Sequence, residues 1–310
     1  MLNYPFELVR YDRNNPLPEI KQLLSQRPYS IAGNSFAEDA RRFVPGKPLE
    51  TAINTAIAVG EPLLITGEAG TGKTQAAYYA AYKLDIEPVI HFQVKSDSIA
   101  KDLLYHFDTV RYFHDAHFGK EGELDKKKYV ERRALWEAFA STHPRVLLID
   151  EIDKAPRDFP NDLLHELDRM EFRVPETQEP VMASPAQHPI VFITSNSERR
   201  LPEPFLRRCV YHHIRFDDDL VRRAMEKRRE EYRSLSDEFL ELAMRRFRKL
   251  RDRNLRKKPA TGEFLVWLRV LALAGGKEPR QLEEDLAKLP YLGVLLKDHQ
   301  DMEELSARVT

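Results

Sequence analysis

One eight-residue run constrains this 310-residue sequence more than any other feature. Gly67-Glu68-Ala69-Gly70-Thr71-Gly72-Lys73-Thr74 fits the pattern G-x-x-x-x-G-K-[ST]. Its surroundings count for more than the match. Residues 63–66 (Leu-Leu-Ile-Thr) read as a buried strand just before it, and the Ala-rich stretch 75–84 reads as a helix just after it. Glycines between a strand and a helix let the backbone curl until successive N–H groups point at one spot, and the helix adds its dipole there. Such a loop cradles a phosphate. Lys73 is then placed to reach the outer phosphates of a nucleotide, and Thr74 offers its hydroxyl to Mg²⁺. A glycine-rich turn that fits by chance leaves the flanking strand and helix unexplained.

The rest of the chain supplies a sheet for that loop. Short apolar or β-branched runs recur at 89–94, 146–149, 190–194 and 210–216, with helices expected at 75–84, 98–113, 126–140 and 161–169. Strand, crossover helix and strand at these lengths predict a parallel sheet covered on both faces. Ahead of the loop, Leu49, Ile53, Ala56 and Ile57 lie at helical spacing, and Gly60 with Pro62 ends that helix. Residues 172–182 (FRVPETQEPVM) read as a hairpin, with Pro175 and Pro180 marking its turn region.

The two ends of the chain differ from this middle. Residues 1–44 carry Pro5, Pro16, Pro18 and Pro28, and read as an extension with short helices such as 20–24. After 216 the strand signals stop. Residues 234–255 place Leu235, Phe239, Leu242, Phe247 and Leu250 on one helical stripe, and 264–274 read as a buried helix closed by Gly275-Gly276. The expected organisation is an extension (1–44), an α/β nucleotide-binding domain on a parallel five-stranded sheet (45–216) and a small all-helical domain (217–310).

The run 146–149 ends in Asp150-Glu151. At the carboxyl end of a parallel strand these acids face the crevice that holds the phosphates. Asp150 is expected to hold Mg²⁺, directly or through water, and Glu151 to polarise the attacking water. Asp153 reads as a cap for the segment that follows it.

With these residues in view, the sequence resembles the AAA+ family and, within it, the MoxR-like branch, over about residues 45–296. Gly67–Thr74 looks like the Walker A motif and Leu147–Asp153 like Walker B. Ile193-Thr194-Ser195-Asn196 resembles the sensor-one strand, and Pro204-Phe205-Leu206-Arg207-Arg208-Cys209 the arginine-finger segment. The resemblance implies a P-loop AAA+ core followed by a helical lid, with ATP and Mg²⁺ as cofactors. It implies that Asn196 holds the lytic water, and that Arg207 or Arg208 completes a neighbour's site in a ring, a hexamer by family habit. It also implies a protein client, such as a von Willebrand factor A domain protein. The hairpin at 172–182 falls where this branch carries its pre-sensor-one hairpin. In one respect the sequence departs: where many relatives carry a second-sensor arginine in Ser-x-Arg, this chain reads Lys257-Lys258-Pro259-Ala260-Thr261-Gly262-Glu263.

Composition narrows the class further. Lys plus Arg (49) and Asp plus Glu (50) nearly balance, so bulk charge demands neither nucleic acid nor an anionic membrane. The single cysteine, Cys209, excludes an intramolecular disulfide and reads as a small buried hydrophobe. No signal peptide and no run of about 18 apolar residues stands out, so a soluble cytoplasmic protein is expected. His106, His114, His117 and Asp115 read as solvated surface groups more readily than as a metal site. Residues 222–258 hold 15 basic against 7 acidic side chains. That excess keeps a nucleic-acid motor open as an alternative to protein remodelling, although the solvated face of an amphipathic helix explains it as well. A nucleotide-gated scaffold with weak hydrolysis is the third reading.

Overall fold

The protein is seen in a computed structural model that describes residues 8, 20–25, 35–118, 124–275, 282 and 285–307. Two compact units emerge, one spanning Phe36–Phe216 and the other taking in Asp217–Thr310. None of the helices among the described residues is long and apolar enough to cross a membrane.

Phe36–Phe216 is built on five parallel strands: β1 (Leu63–Gly67), β2 (Ile90–Gln93), β5 (Val146–Asp150), β8 (Ile190–Ser195) and β9 (Val210–Ile214). Their order across the sheet is β2-β5-β8-β1-β9. The three central strands are almost wholly buried, which is why they read as unbroken apolar runs. Successive residues face opposite sides. Leu63 and Ile65 of β1, with Leu148 of β5, pack against Leu49, Ile53 and Ala56 of helix Gly46–Val59 and Ala76, Ala77, Ala80 and Ala81 of helix Lys73–Leu84. Four alanines on one helix face let its backbone lie close to the sheet. Leu64, Leu147, Ile149 and Ile193 form the other face, with Trp136, Phe139, Phe159 and Phe172.

The largest departure from expectation lies in the segments 98–113 and 126–140. Each was expected to be one helix. The first is instead a short helix (Lys101–Leu104), strand β3 (Tyr105–Phe107) and a helix (Thr109–Phe118). The second is a 3₁₀ turn (Lys126–Tyr129), strand β4 (Val130–Arg132) and a helix (Ala134–Phe139). β3 and β4 pair antiparallel, Tyr105 opposite Arg132 and Phe107 opposite Val130. Tertiary burial overrides helical propensity here. Tyr105 is 3% exposed, edge-on to Trp136 and stacked on Phe172, a position a continuous helix would not give it. The stretch 161–169 likewise breaks at Leu163, into helices Phe159–Asp162 and Leu164–Arg169. The hairpin forms from β6 (Glu171–Val174) and β7 (Glu179–Met182), but Pro180 sits inside β7 opposite Arg173 and not in the turn.

Residues 217–307 form the helices Asp218–Lys227, Asp237–Arg251, Thr261–Leu273 and His299–Ala307. Ser236 caps the second by accepting Phe239 N–H at 3.1 Å. Phe247 stacks on Phe264 at 4.5 Å, beside the fully buried Trp267, whose indole N–H donates to Pro290 O at 2.7 Å. Gly275, at φ +79°, follows the third helix, while Gly276 lies outside the described residues. Several of the arginines in 222–258 are held inside this unit: Arg222 pairs with Glu241, Arg228 with Glu231, Arg229 with Asp237 and Arg248 with Asp218, while Arg251 is buried against Pro259 O.

Candidate functional site

β1 delivers the chain into the glycine loop. Gly67, Gly70 and Gly72 all have positive φ (150°, 75° and 92°). At Gly67 a Cβ would lie 2.8 Å from Ile214 O, and at Gly72 it would lie 2.7 Å from the Phe43 ring. Glycine is therefore required at both places. Thr71 Oγ1 donates to Glu68 O at 2.7 Å and tightens the loop, whose tip, Glu68 to Gly70, is exposed. Helix Lys73–Leu84 starts immediately afterwards, so its free N–H groups open into the loop.

Lys73 is 6% exposed, and its ammonium bonds Gly67 O at 2.9 Å and Glu68 O at 2.8 Å. Burial pushes its pKa down, and Asp153, Asp150, Glu151 and Glu68 push it back up. A desolvated ammonium curled over the loop is suited to an anion that would satisfy it better than two carbonyls do. Thr74 Oγ1 donates to Asp150 at 3.0 Å, so the loop's hydroxyl and the first acid of β5 already face each other. Two hard oxygen donors at this separation, beside a phosphate cradle, fit Mg²⁺.

Asp150 is 5% exposed. Burial raises its pKa, yet hydrogen bonds from His91, Thr194 and Thr74 hold the carboxyl below its usual range. His91 Nε2 lies 3.3 Å from Asp150 Oδ2, and His91 Nδ1 lies 3.0 Å from the Tyr78 hydroxyl. Thr194, on β8, donates to Asp150 Oδ1 and accepts the Glu151 N–H at 2.8 Å.

Neighbouring residues on a strand point to opposite faces, so Asp150 and Glu151 would diverge if β5 simply continued. Glu151 instead takes φ +60°, in the left-handed region that non-glycine residues seldom adopt. That turn brings its carboxylate into a ring of donors. Asn196 Nδ2 reaches Oε1 at 3.0 Å, Gln93 Nε2 reaches Oε2 at 2.7 Å, and Lys154 pairs with Oε2. The structure thus gathers Lys73, Thr74, Asp150, Glu151 and Asn196 at the carboxyl ends of β1, β5 and β8, with Gly67, Glu68, Ala69, Gly70, Thr71 and Gly72 as the loop.

Sequence reasoning missed His91 and Gln93. They hold the two acids through the β2–β5 register, in which Gln93 lies opposite Asp150. The available signal was polar residues at the carboxyl end of a strand expected to be apolar. Asp153 was also misread. It is 3% exposed and does not cap the segment after it; its oxygens accept Asn196 N–H at 3.2 Å and Glu198 N–H at 2.9 Å, across to the loop after β8. A buried acid must find donors, and here it finds them on the loop after β8.

Arg207 and Arg208 lie elsewhere on the surface. Arg207 pairs with Glu203 in its own helical turn, and Arg208 pairs with Asp168 and donates to Pro204 O at 3.2 Å. Cys209 is mostly buried, which pushes its thiol up to about 12 and makes it a poor nucleophile. His114 pairs with Asp115 at 3.2 Å, which also accepts the Tyr129 hydroxyl at 2.9 Å. No group of three or more metal-ligating side chains comes together among the described residues.

Residues 62–209 match the model of the AAA domain, dynein-related subfamily. No curated protein matches the chain. Among solved structures it is similar to a presumptive ATPase of Cytophaga hutchinsonii, at 14% identity and TM-score 0.41, over 89% of this chain and 93% of that one. NtrX of Brucella abortus is similar in its ADP complex, at 16% identity and TM-score 0.49, over 94% of this chain and 66% of that one. Its ATP complex gives 17% identity and TM-score 0.46, over 94% and 63%. At that distance these likenesses bear on neither substrate nor partner.

Proposed function

We propose that this chain, which is an AAA+ ATPase, works as a homo-oligomeric ring of the MoxR-like kind and turns hydrolysis into the remodelling or activation of a protein partner. The partner favoured is a von Willebrand factor A domain protein, and the ring favoured is a hexamer.

The observation that carries the chemistry is the placing of Glu151. Its carboxylate is held by Asn196 and Gln93 at the carboxyl ends of neighbouring strands, beside the pair Thr74–Asp150. Thr74 and Asp150 would hold Mg²⁺, which would neutralise phosphate charge. Lys73 exchanges its carbonyl partners for phosphate oxygens, and Asn196 orients the water. The water oxygen bonds to the γ-phosphorus, the bond to the β,γ-bridging oxygen breaks, and ADP leaves with that electron pair. The water's proton passes to Glu151. Lys154, 43% exposed, must release Glu151 for this, which a solvated ion pair does at small cost.

Support for the ring comes from Arg207 and Arg208, which lie on the surface rather than against the chain's own glycine loop. The nucleic-acid reading loses ground because several arginines of 222–258 are paired within their own unit. ATP turnover with Mg²⁺, measured alone, with DNA and with a von Willebrand factor A domain protein, tests the choice of partner, and native mass spectrometry tests the ring. A chain that hydrolyses ATP at full rate as a monomer overturns the ring. Stimulation by DNA and not by the protein overturns the client.

A further inference from the structure

Strand β2 is the last strand of the sheet on its side, with β5 as its one neighbour among the described residues. Val94 N–H goes to Asp150 O at 3.0 Å, so the two-residue alternation turns the main-chain N–H and C=O of His91 and Gln93 away from β5, toward the open edge. His91 is exposed as a residue although its side chain keeps only 23% exposure, as expected if its backbone meets solvent while its imidazole turns inward. This edge lines a cleft of about 650 Å³ together with Asp97, Ser98, Asp102, Arg132, Arg133 and Arg145.

Three observations show what the cleft is suited to. An unpaired parallel edge is a template for an added strand. The lining carries four cations, Lys95, Arg132, Arg133 and Arg145, against Asp97, Asp102 and Glu137; Asp102 is already engaged by Ile99 N–H at 2.9 Å and Arg133 by Glu131 at 3.1 Å, which leaves Lys95, Arg132 and Arg145 facing Asp97 and Glu137. Arg145 Nε is buried with no hydrogen-bond partner, although the same side chain reaches Pro88 O at 3.0 Å through Nη2. The Arg145 side chain also lines the cleft, so its charge adds to the positive field there.

The geometry points to this cleft as a binding site for an extended acidic peptide segment of a partner protein, added as a strand along β2. Such a peptide would bond the backbone of His91 and Gln93, the two residues whose side chains hold Asp150 and Glu151. Binding at the edge is therefore felt at both acids. The site lies within one chain and requires no ring, so it stands or falls separately from the oligomeric reading.

The probe is a fluorescein-labelled peptide of alternating glutamate and valine, titrated by anisotropy against the full chain while ATP turnover is followed in parallel. Binding is expected to weaken about tenfold or more, roughly 1.4 kcal/mol, in the variant Arg132→Glu/Arg133→Glu, and in Lys95→Glu should the first fold poorly. It should also weaken when every second peptide nitrogen is methylated, which removes the donors a strand needs. Bound peptide should change turnover by about twofold or more. Equal binding by the charge-reversed variants overturns the site. Indifference to methylation overturns strand addition, as does displacement of the peptide by a single-stranded oligonucleotide that binds through the same arginines. Unchanged turnover at saturating peptide overturns the coupling to the acids.

Discussion

Asp153 Oδ1 accepts the main-chain N–H of Asn196 at 3.2 Å, while its other oxygen accepts Glu198 N–H at 2.9 Å. A buried carboxylate three residues past the end of β5 therefore fixes where the chain leaves β8, and with it the Asn196 amide that holds Glu151. Asp153→Ala should leave the part-buried Asn196 and Glu198 N–H groups without this partner, at about 1 kcal/mol each or less where water can replace it. The melting temperature should fall, and kcat should drop by about tenfold or more because Asn196 loses its position. KM for ATP should move much less than kcat, since Asp153 acts on Lys73 of the glycine loop only through its charge. Steady-state kinetics alongside a thermal melt check this, and a variant that melts lower with unchanged kcat would remove Asp153 from the catalytic geometry.

The parts legible in the sequence were those in which one local segment carries the whole signal. Gly67–Thr74 with its flanking strand and helix is one, and the apolar run ending in Asp150-Glu151 is another. Contacts between segments were harder to read. Asp153 looked like a local cap because its true partners lie about 45 residues downstream. Gln93 reaches Glu151 only because β2 and β5 pair in one register. Segments 98–113 and 126–140 looked helical because Tyr105 and Val130 gain their pairing and burial from each other's strands and from Phe172, which no local pattern contains.

Variants of Lys73 and Glu151 should separate binding from chemistry. Lys73→Ala removes the ammonium that caps the loop, so affinity for a non-hydrolysable ATP analogue should fall by about a hundredfold, the weight of a strong charge-assisted contact. Isothermal titration reads this directly. Glu151→Gln keeps size and the Asn196 contact but cannot take the water's proton, so turnover should fall by about two to four orders of magnitude with analogue affinity retained. Near-parental turnover in Glu151→Gln would assign the proton to another group.

Asp150 sets an expected pH dependence. Its carboxyl is held below the ordinary range, burial notwithstanding, by His91, Thr194 and Thr74. A carboxylate depressed on folding stabilises the native state above its unfolded pKa, and that contribution is lost as pH falls through the folded value. The nucleotide-free protein should therefore lose stability on acidification below about pH 4. The gap in melting temperature between parent and Asp150→Asn should narrow over the same range. A gap that stays constant down to the acid limit would mean that these hydrogen bonds do not favour the charged form.

The arginines test the ring. Arg208 is tied to Asp168 of another helix and to Pro204 O, whereas Arg207, 76% exposed, has Glu203, one turn away, as its ion-pair partner among the described residues. A surface pair within one helix is worth about 0.3–0.5 kcal/mol, so Arg207 is released cheaply and Arg208 less so. Arg207→Ala should therefore abolish turnover at an unchanged melting temperature and with its own ATP still bound, whereas Arg208→Ala should chiefly lower the melting temperature. Mixing Arg207→Ala with Glu151→Gln subunits then distinguishes a shared site from an internal one. Each variant alone should be inactive. In a mixed ring, an interface that sets the intact arginine of a Glu151→Gln subunit against the intact acid of an Arg207→Ala subunit has every catalytic part, so some turnover should return. Native mass spectrometry must first show that subunits exchange. With exchange demonstrated, a mixture that stays inactive counts against an arginine supplied in trans. Full turnover in Arg207→Ala, Arg208→Ala and the double variant would eliminate it.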